Sequence, residues 1–230
     1  MPLVDLPSVE KLTSVIHSTF AAPGATWQEV LAFAEKSMAY HFPVLVVQGC
    51  WAEDVKQVLK GRGARLSVFV GYSLGGSPLK SKVAEVKAGV EAGADMFEFL
   101  PNLGYLRSGL FTRFKDEMAA VVDAAEGRPV NAALELPTLS IEERVRGALL
   151  AQEAGMSSIT NSSGWGMGGA ATEEDIRFLR VTVSSKVGVK AAGGIKDLET
   201  ALRLMSAGAD ALGSWSGFQI VDELKNAKLR

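Results

Sequence analysis

A short motif that recurs three times along the chain places the strongest constraint on its fold. The segments Glu91-Ala-Gly-Ala-Asp95, Glu153-Ala-Gly-Met-Ser157 and Ser206-Ala-Gly-Ala-Asp210 each close a helical pattern and precede a short apolar run. Glycine is the expected residue just beyond a helix end, because the backbone there turns to positive φ. Each motif therefore predicts a junction between a helix and a following strand.

Eight apolar runs suited to strands alternate with amphipathic segments. The runs lie near residues 14–18, 43–48, 66–72, 95–101, 129–136, 156–161, 186–191 and 209–213. Between them, Thr26, Ser140 and Thr172 precede acidic residues in the pattern that starts helices. Regular alternation predicts parallel strand pairing, and eight units favour a closed (β/α)8 TIM barrel over an open doubly wound sheet.

Chain length and composition restrict the function further. The 230 residues suit one barrel without a linker, so we expect a single domain over 1–230. The 24 basic and 26 acidic residues are scattered, which argues against nucleic acid and anionic membranes as partners. There is no apolar run of about 18 residues, and no leader pattern in residues 1–12, so we expect a soluble cytoplasmic protein. A single Cys50 and two histidines argue against a disulfide and a metal site.

Strand alternation predicts which side chains enter the barrel, where function lies at the carboxyl ends of the strands. Lys190 on the seventh strand should point inward, as should Glu98 on the fourth and Glu135 with Asn131 on the fifth. On the sixth strand Thr160 should face inward. Lys190 close to the two carboxylates would suit proton transfer or imine formation. The alternative is a structural ion network that closes the barrel.

Glycine-rich segments follow several of the predicted strands. The stretch from Val187 to Ile195 contains Gly193 and Gly194, which would open a helix and offer backbone N–H groups to a phosphate. The loop 161–171 carries four glycines and is typical of a segment that covers a site. Gly71-Tyr-Ser-Leu-Gly75 matches a hydrolase elbow, but no triad partner is evident, so Ser73 is interpreted as a turn residue.

Several blocks in order and spacing resemble the deoxyribose-phosphate aldolase family over nearly the whole chain. The blocks are Gly24-Ala-Thr26, Gly71-Tyr-Ser-Leu-Gly75 with Lys82 and Glu85, Glu91–Asp95, Ser162-Ser-Gly164, Ala171-Thr172, Val187–Gly194 and Ala207–Ser214. The resemblance implies a (β/α)8 barrel, a phosphate site at the last two βα loops, and a class I aldol reaction. That reaction proceeds through a lysine imine without metal, and we expect no cofactor.

The resemblance also identifies four inward positions that differ from the family. Thr160 occupies the position of the imine-forming lysine, and Glu98 stands where the family has an aspartate that relays protons. His17 replaces an aspartate and Asn131 replaces a lysine, whereas the second family lysine, Lys190, is retained together with Glu135. A threonine hydroxyl cannot form an imine with a carbonyl compound, so Thr160 cannot take over the usual role.

We therefore expect Lys190, Glu98 and Glu135 to be catalytic, with Lys190 as imine-former or as the cation that stabilises an enolate. The substrate is expected to be a small carbonyl compound carrying phosphate. The expected substrate contacts are Thr160, Asn131, His17 and Trp165, and the expected phosphate contacts are Gly164, Gly193, Gly194, Gly213, Ser214 and Ser216. Trp165 and Trp215 would be either core fillers or an apolar pocket wall.

Two other functions stay open on the sequence. One is an isomerase, cyclase or dehydratase that uses Glu98, Glu135 and Lys190 without a covalent intermediate. The other is a catalytically inactive barrel that binds a ligand. The expected partner is a small molecule, and a homodimer or homotetramer fits the barrel class, although no interface patch can be located in the sequence.

Overall fold

The computed structural model describes residues 6–165 and 169–229, so the middle of the loop 161–171 lies outside the described residues. Eight parallel strands close into a barrel in chain order. They are β1 Ile16–Thr19, β2 Val44–Val47, β3 Arg65–Val70, β4 Met96–Phe99, β5 Val130–Ala133, β6 Ser158–Thr160, β7 Gly188–Ala192 and β8 Ala211–Ser214. The predicted (β/α)8 barrel is confirmed.

Helices connect the strands. They are α1 Val9–Thr13, α2 Trp27–Ala39, α3 Ala52–Leu59, α4 Leu79–Glu91, α5 Leu103–Arg107, α6 Phe111–Ala124, α7 Ile141–Glu153, α8 Glu173–Thr182, α9 Leu198–Ser206 and α10 Gly217–Lys228. Short 3₁₀ turns occupy Gly49–Trp51 and Leu136–Thr138. Within the described part of the chain, no helix has both the length and the apolar character needed to cross a membrane.

The local signals in the sequence produce the predicted helix ends. The hydroxyl groups of Thr26 and Ser140 each accept the backbone N–H of the glutamate three residues later. The side chain of that glutamate accepts the backbone N–H of the capping residue, which completes a capping box. Thr172 caps α8 through the N–H of Asp175. The glycines of the three repeated motifs have φ of 84°, 87° and 109°. These motifs are helix-to-strand junctions, as predicted.

Alternation along each strand separates two apolar regions. Phe97, Phe99 and Val189 belong to the large cluster that joins the outer face of the barrel to the helices. Val44, Val46 and Met96 form a second, smaller cluster with Phe69. They share the strand parity of Glu98, and this second cluster fills part of the barrel interior below the mouth.

Most strand boundaries differ from the sequence prediction by a few residues, and three differences bear on the site. β5 ends at Ala133 rather than 136, because the backbone enters the left-handed region at Glu135, where φ is 46°, and continues into the 3₁₀ turn. β7 extends two residues beyond Lys190. The Gly193-Gly194 turn does not open a helix directly, since α9 begins at Leu198 with Asp197 as its cap.

Candidate active site

A cavity of about 260 Å³ opens at the carboxyl ends of the strands. Its floor includes Glu98, Thr160 and Lys190, which lie on β4, β6 and β7. Most of its rim is formed by the loops that follow β6, β7 and β8. The cavity therefore occupies the end of the barrel at which barrel enzymes place their chemistry.

Lys190 and Glu98 form a buried ion pair at this floor. Lys190 Nζ donates to Glu98 Oε1 at 2.5 Å, and the two side chains are only 5% and 3% exposed. Gly213 on the neighbouring strand lies against this amine, since a Cβ atom there would come within 3.0 Å of Lys190 Cε. The predicted approach of these two residues, 92 positions apart in sequence, is present in the structure.

Asn131 lies behind this ion pair and connects it to β6. Its Nδ2 donates to Glu98 Oε2 at 2.6 Å and to Thr160 Oγ1 at 2.7 Å, while Ser158 Oγ donates to Asn131 Oδ1 at 2.8 Å. Each oxygen of Glu98 therefore has its own donor. Thr160 lines the cavity, whereas Asn131 is buried beneath it and acts on the cavity through Glu98 and Thr160.

His17 lies inside the barrel but does not line the cavity. The neighbouring Ser18 bonds Ser37 of α2, so strand alternation turns His17 inward. Its Nδ1 is buried without a hydrogen-bond partner among the described residues. Burial lowers the pKa of His17 well below its usual 6.5, and the positive charges of Lys190 and Arg65 lower it further. His17 is therefore a neutral imidazole below the floor.

Glu135 does not join the Lys190–Glu98 pair. Because β5 ends before it, its side chain leaves the barrel interior, and Oε1 accepts the backbone N–H of Ser163. Glu135 lines an adjoining groove of about 550 Å³ instead of the central cavity. The expected cluster of Lys190, Glu98 and Glu135 is therefore not present among the described residues. Lys190 and Glu98 form an ion pair, and Glu135 separately holds the loop after β6.

Trp165 stands between the cavities around the mouth. It lines the 550 Å³ groove and a second groove of about 640 Å³, and its ring centroid is 6.1 Å from that of Trp215. Trp215 lines the central cavity and is 57% exposed. The pair forms an aromatic part of the rim, so Trp215 is a wall residue and not a core filler.

The six expected phosphate contacts all line the central cavity. Several of their polar groups are already bonded. Ser214 Oγ donates to the carbonyl of Ile195 and accepts the N–H of Ser216, and the N–H of Gly164 donates to Ser162 Oγ. These bonds fix the loops, which leaves other main-chain donors and the N-terminus of α10 to face an anion.

Positive φ at Gly193 and Gly194 shapes this cradle. Their φ values are 100° and 67°, and a Cβ atom on Gly193 would lie 2.6 Å from the carbonyl oxygen of Gly169. The turn thus requires glycine for its backbone conformation and for close contact with the loop after β6.

Sequence reasoning missed two residues of the mouth. Lys196 is exposed at the rim and offers a cation beside the cradle; its only sequence signal is its place two residues after the Gly-Gly turn. Tyr72 follows β3 and lines the central cavity, although the sequence pattern assigns a role only to its neighbour Ser73, as a turn residue. Burial raises the pKa of the Tyr72 phenol well above its usual 10, and the charges of Glu98 and Glu135 raise it further.

A second buried ion pair, outside the barrel, orders the loops on one side of the mouth. Lys82 Nζ donates to Glu117 Oε1 at 2.9 Å and to the carbonyl of Gly75 at 2.5 Å. Glu117 Oε2 accepts the N–H of Asn102 at 2.7 Å. Burial lowers the pKa of Lys82, and Glu117 partly offsets this effect. The pair links the loops that follow β3 and β4.

The described residues contain no group of three or more His, Cys, Asp or Glu side chains arranged to hold a metal ion. The polar groups at the floor of the cavity are one ammonium, one carboxylate and neutral amide and hydroxyl groups. This arrangement suits acid–base or amine chemistry on a carbonyl group.

Comparisons with known proteins identify the relatives of the chain. No protein-family model matches it. It is 35% identical to a deoxyribose-phosphate aldolase of Streptococcus sanguinis over 211 residues, which cover 92% of this chain and 96% of the relative. It is 34% identical to one of Thermococcus gammatolerans over 221 residues, covering 94% and 98%. The chain belongs to the deoxyribose-phosphate aldolase family.

Solved structures agree with the assignment to the deoxyribose-phosphate aldolase family, whose members are class I aldolases and therefore lyases. A tetrameric deoxyribose phosphate aldolase from Aeropyrum pernix superimposes with a TM-score of 0.89 at 26% identity, covering 96% of this chain and 93% of that one. A Coccidioides immitis structure that carries the same family name gives 0.92, also at 26% identity, covering 96% and 88%. The enzyme class and the barrel predicted from the sequence are thus confirmed.

Proposed function

We propose that this chain cleaves or forms a carbon–carbon bond in a small phosphorylated β-hydroxy carbonyl compound, with Lys190 as the imine-forming amine. The observation that carries the proposal is the buried Lys190–Glu98 pair at the floor of a cavity whose rim is a glycine-rich cradle. Thr160 has no amine, and Lys190 is the lysine at this floor among the described residues.

The cradle supports a phosphorylated substrate. The N-terminus of α10, the Gly193-Gly194 turn and the exposed Lys196 all meet the central cavity. Gly213 belongs to the same rim and touches Lys190. A phosphate held there would leave a short carbon chain within reach of the amine, and a cavity of about 260 Å³ fits a compound of that size.

Glu98 supplies the proton acceptor that imine formation requires. The ammonium of Lys190 passes a proton to the Glu98 carboxylate, and the free amine bonds the substrate carbonyl carbon while the carbonyl oxygen takes the electron pair. The oxygen receives one proton from the newly bonded nitrogen and one from Glu98, and it leaves as water, which gives the iminium and returns Glu98 to the carboxylate. In cleavage, the electrons of the α–β carbon bond move to the iminium, which becomes an enamine, and the β-hydroxyl passes its proton to the Glu98 carboxylate as its carbon becomes an aldehyde. Glu98 then protonates the enamine carbon, and water hydrolyses the resulting iminium to release the second carbonyl product and the free amine.

A second function is favoured by the short contact in the ion pair. An ammonium held 2.5 Å from a carboxylate suits a fixed cation that stabilises an enolate, without any covalent intermediate. Such a group is worth about 3–4 kcal/mol in the transition state. In that case the enzyme would be an isomerase, cyclase or dehydratase in which Glu98 moves the proton.

Borohydride trapping separates these functions. The protein is incubated with 2-deoxyribose 5-phosphate, a deoxyribose phosphate of the kind in its relatives' names, and reduced with borohydride; peptides are then analysed by mass spectrometry. We expect a reduced adduct on Lys190 that is absent in Lys190→Met and present in the control Lys186→Met, whose lysine is exposed at the other end of β7. Turnover without an adduct would favour the non-covalent function, and binding without turnover an inactive ligand-binding barrel.

We also propose that the chain forms a homodimer or a homotetramer. The support is the tetrameric state named for the Aeropyrum pernix relative. Light scattering coupled to size-exclusion chromatography tests this proposal, and a monomer at micromolar concentration would contradict it.

A further inference from the structure

We propose that the Tyr72 hydroxyl is a catalytic hydrogen-bond donor to the substrate oxygen at the carbon–carbon bond that is made or broken. The inference rests on the proposed function and adds a residue to its machinery. In 2-deoxyribose 5-phosphate the oxygen concerned is the hydroxyl on C3, since a retro-aldol cleavage breaks the C2–C3 bond. As the C2–C3 bond breaks and this hydroxyl passes its proton to Glu98, the oxygen gains negative charge in the transition state.

Tyr72 lies at the boundary between two cavities. It follows the end of β3 and lines the central cavity together with Glu98 and Lys190. It also lines the 640 Å³ groove. Its ring packs on Phe69, with the centroids 4.6 Å apart. Because Phe69 is anchored in β3 and belongs to the inner apolar cluster, this contact fixes the phenol at the wall of the site.

The Tyr72 hydroxyl is available to a substrate. Among the described residues it has no hydrogen-bond partner, whereas the amide of Asn131 and the hydroxyl of Thr160 bond each other. The raised pKa of the phenol, caused by burial and then by Glu98 and Glu135, keeps its proton in place at neutral pH. Tyr72 is therefore a donor and not a base.

The reaction needs such a donor at a second oxygen. Once Lys190 is bonded to the substrate as an imine, its nitrogen serves as the electron sink and cannot also hold the β-oxygen. Glu98 is a carboxylate and accepts protons. A neutral phenol on the opposite wall meets the remaining requirement, because a preorganised donor in a buried site stabilises the oxygen as its charge grows.

The alternative is that Tyr72 only fills the wall with its ring. Tyr72→Phe distinguishes the two roles, since it keeps the ring and its contact with Phe69 and removes only the hydroxyl. Tyr40→Phe is the matched control, since it removes a phenol hydroxyl that donates to Asp222 at 2.7 Å. Tyr40 lies at the end of α2, just before β2, and therefore on the opposite side of the barrel from the mouth.

The test measures cleavage of 2-deoxyribose 5-phosphate by wild type and both variants. For Tyr72→Phe we expect kcat to fall about 10²- to 10³-fold, the loss typical of one such donor, with KM changed less than about threefold. The borohydride adduct on Lys190 should persist, which shows that the site is folded. Tyr40→Phe should retain wild-type kcat.

Three outcomes would overturn the inference, and each has a different meaning. If wild type turns over and Tyr72→Phe keeps kcat within about threefold, Tyr72 has only a packing role and the proposed function stands. If wild type shows neither turnover nor an adduct on Lys190, the proposed function itself fails and the role of Tyr72 fails with it. Loss of the adduct in Tyr72→Phe alone would instead assign the hydroxyl to imine formation and refute its role at the β-oxygen.

Discussion

Replacing Lys190 with methionine removes one charge of a buried ion pair while it keeps a side chain of similar length. Glu98, whose side chain is 3% exposed, would retain only the hydrogen bond from Asn131. Breaking a buried pair by removing one partner typically costs about 3–5 kcal/mol, because the remaining charge is left uncompensated. For a domain of 150–250 residues this corresponds to a fall in Tm of roughly 6–20 °C.

The double variant Lys190→Met with Glu98→Gln separates this penalty from a simple packing defect. Glutamine removes the second charge and keeps the shape of the side chain, so no uncompensated charge remains in the barrel. We expect the double variant to recover most of the loss and the two single variants to be strongly non-additive. A coupling free energy of at least about 1.5 kcal/mol is expected from the 2.5 Å contact.

Differential scanning calorimetry and urea unfolding at pH 7 measure these differences on the four proteins of the cycle. Lys186→Met serves as a surface control, because that lysine is exposed. The reasoning would be refuted if Lys190→Met melted within about 2 °C of wild type, or if the two single losses simply added. Either result would mean that Glu98 and Lys190 are hydrated and independent in solution.

Two further predictions follow from the barrel interior. The pKa of His17 lies well below 6.5 in the folded protein, whereas the unfolded histidine takes up a proton as pH falls below 6.5. The free energy of unfolding is therefore at its full value above pH 6.5 and falls below that pH by up to about 1.4 kcal/mol per pH unit. His17→Gln should remove this slope in urea unfolding between pH 6.5 and 5.5; an unchanged slope would contradict it. Gly213→Ala places a Cβ 3.0 Å from Lys190 Cε, and we expect kcat to fall at least tenfold while the fold is retained. In the control Gly76→Ala the new Cβ meets nothing within 4 Å, so kcat should not change. Equal kcat in both alanine variants would show that the amine tolerates the displacement.

The resemblance carried by short blocks of sequence identified the correct family, and the inward direction of Lys190 and Glu98 followed from strand parity. The same parity failed for Glu135, because it assumed that the apolar run continued as a strand through residue 136. The left-handed backbone at Glu135 ends the strand early, and the side chain then serves the neighbouring loop. Nothing in the apolar pattern distinguishes a buried strand from the buried turn that follows it.

The residues at the mouth were predicted unevenly for a related reason. The glycines of the cradle were found because their backbone requirements are visible in the sequence. Ser214 was expected to bind phosphate, yet its hydroxyl is bonded to Ile195 and Ser216. Tyr72 and Lys196 were missed because a tyrosine in a turn and a lysine on a surface have no distinctive local pattern.

The sequence by itself determined the alternation of strands and helices, the caps and junctions, and the face of each strand on which a side chain lies. These properties depend on residues within one or two turns of each other, so a single chain segment contains the information. Only the tertiary structure decided which inward side chains meet. The distance from Lys190 to Glu98, the isolation of Glu135 and the place of Tyr72 depend on how eight strands close and stagger, and on the paths of their loops.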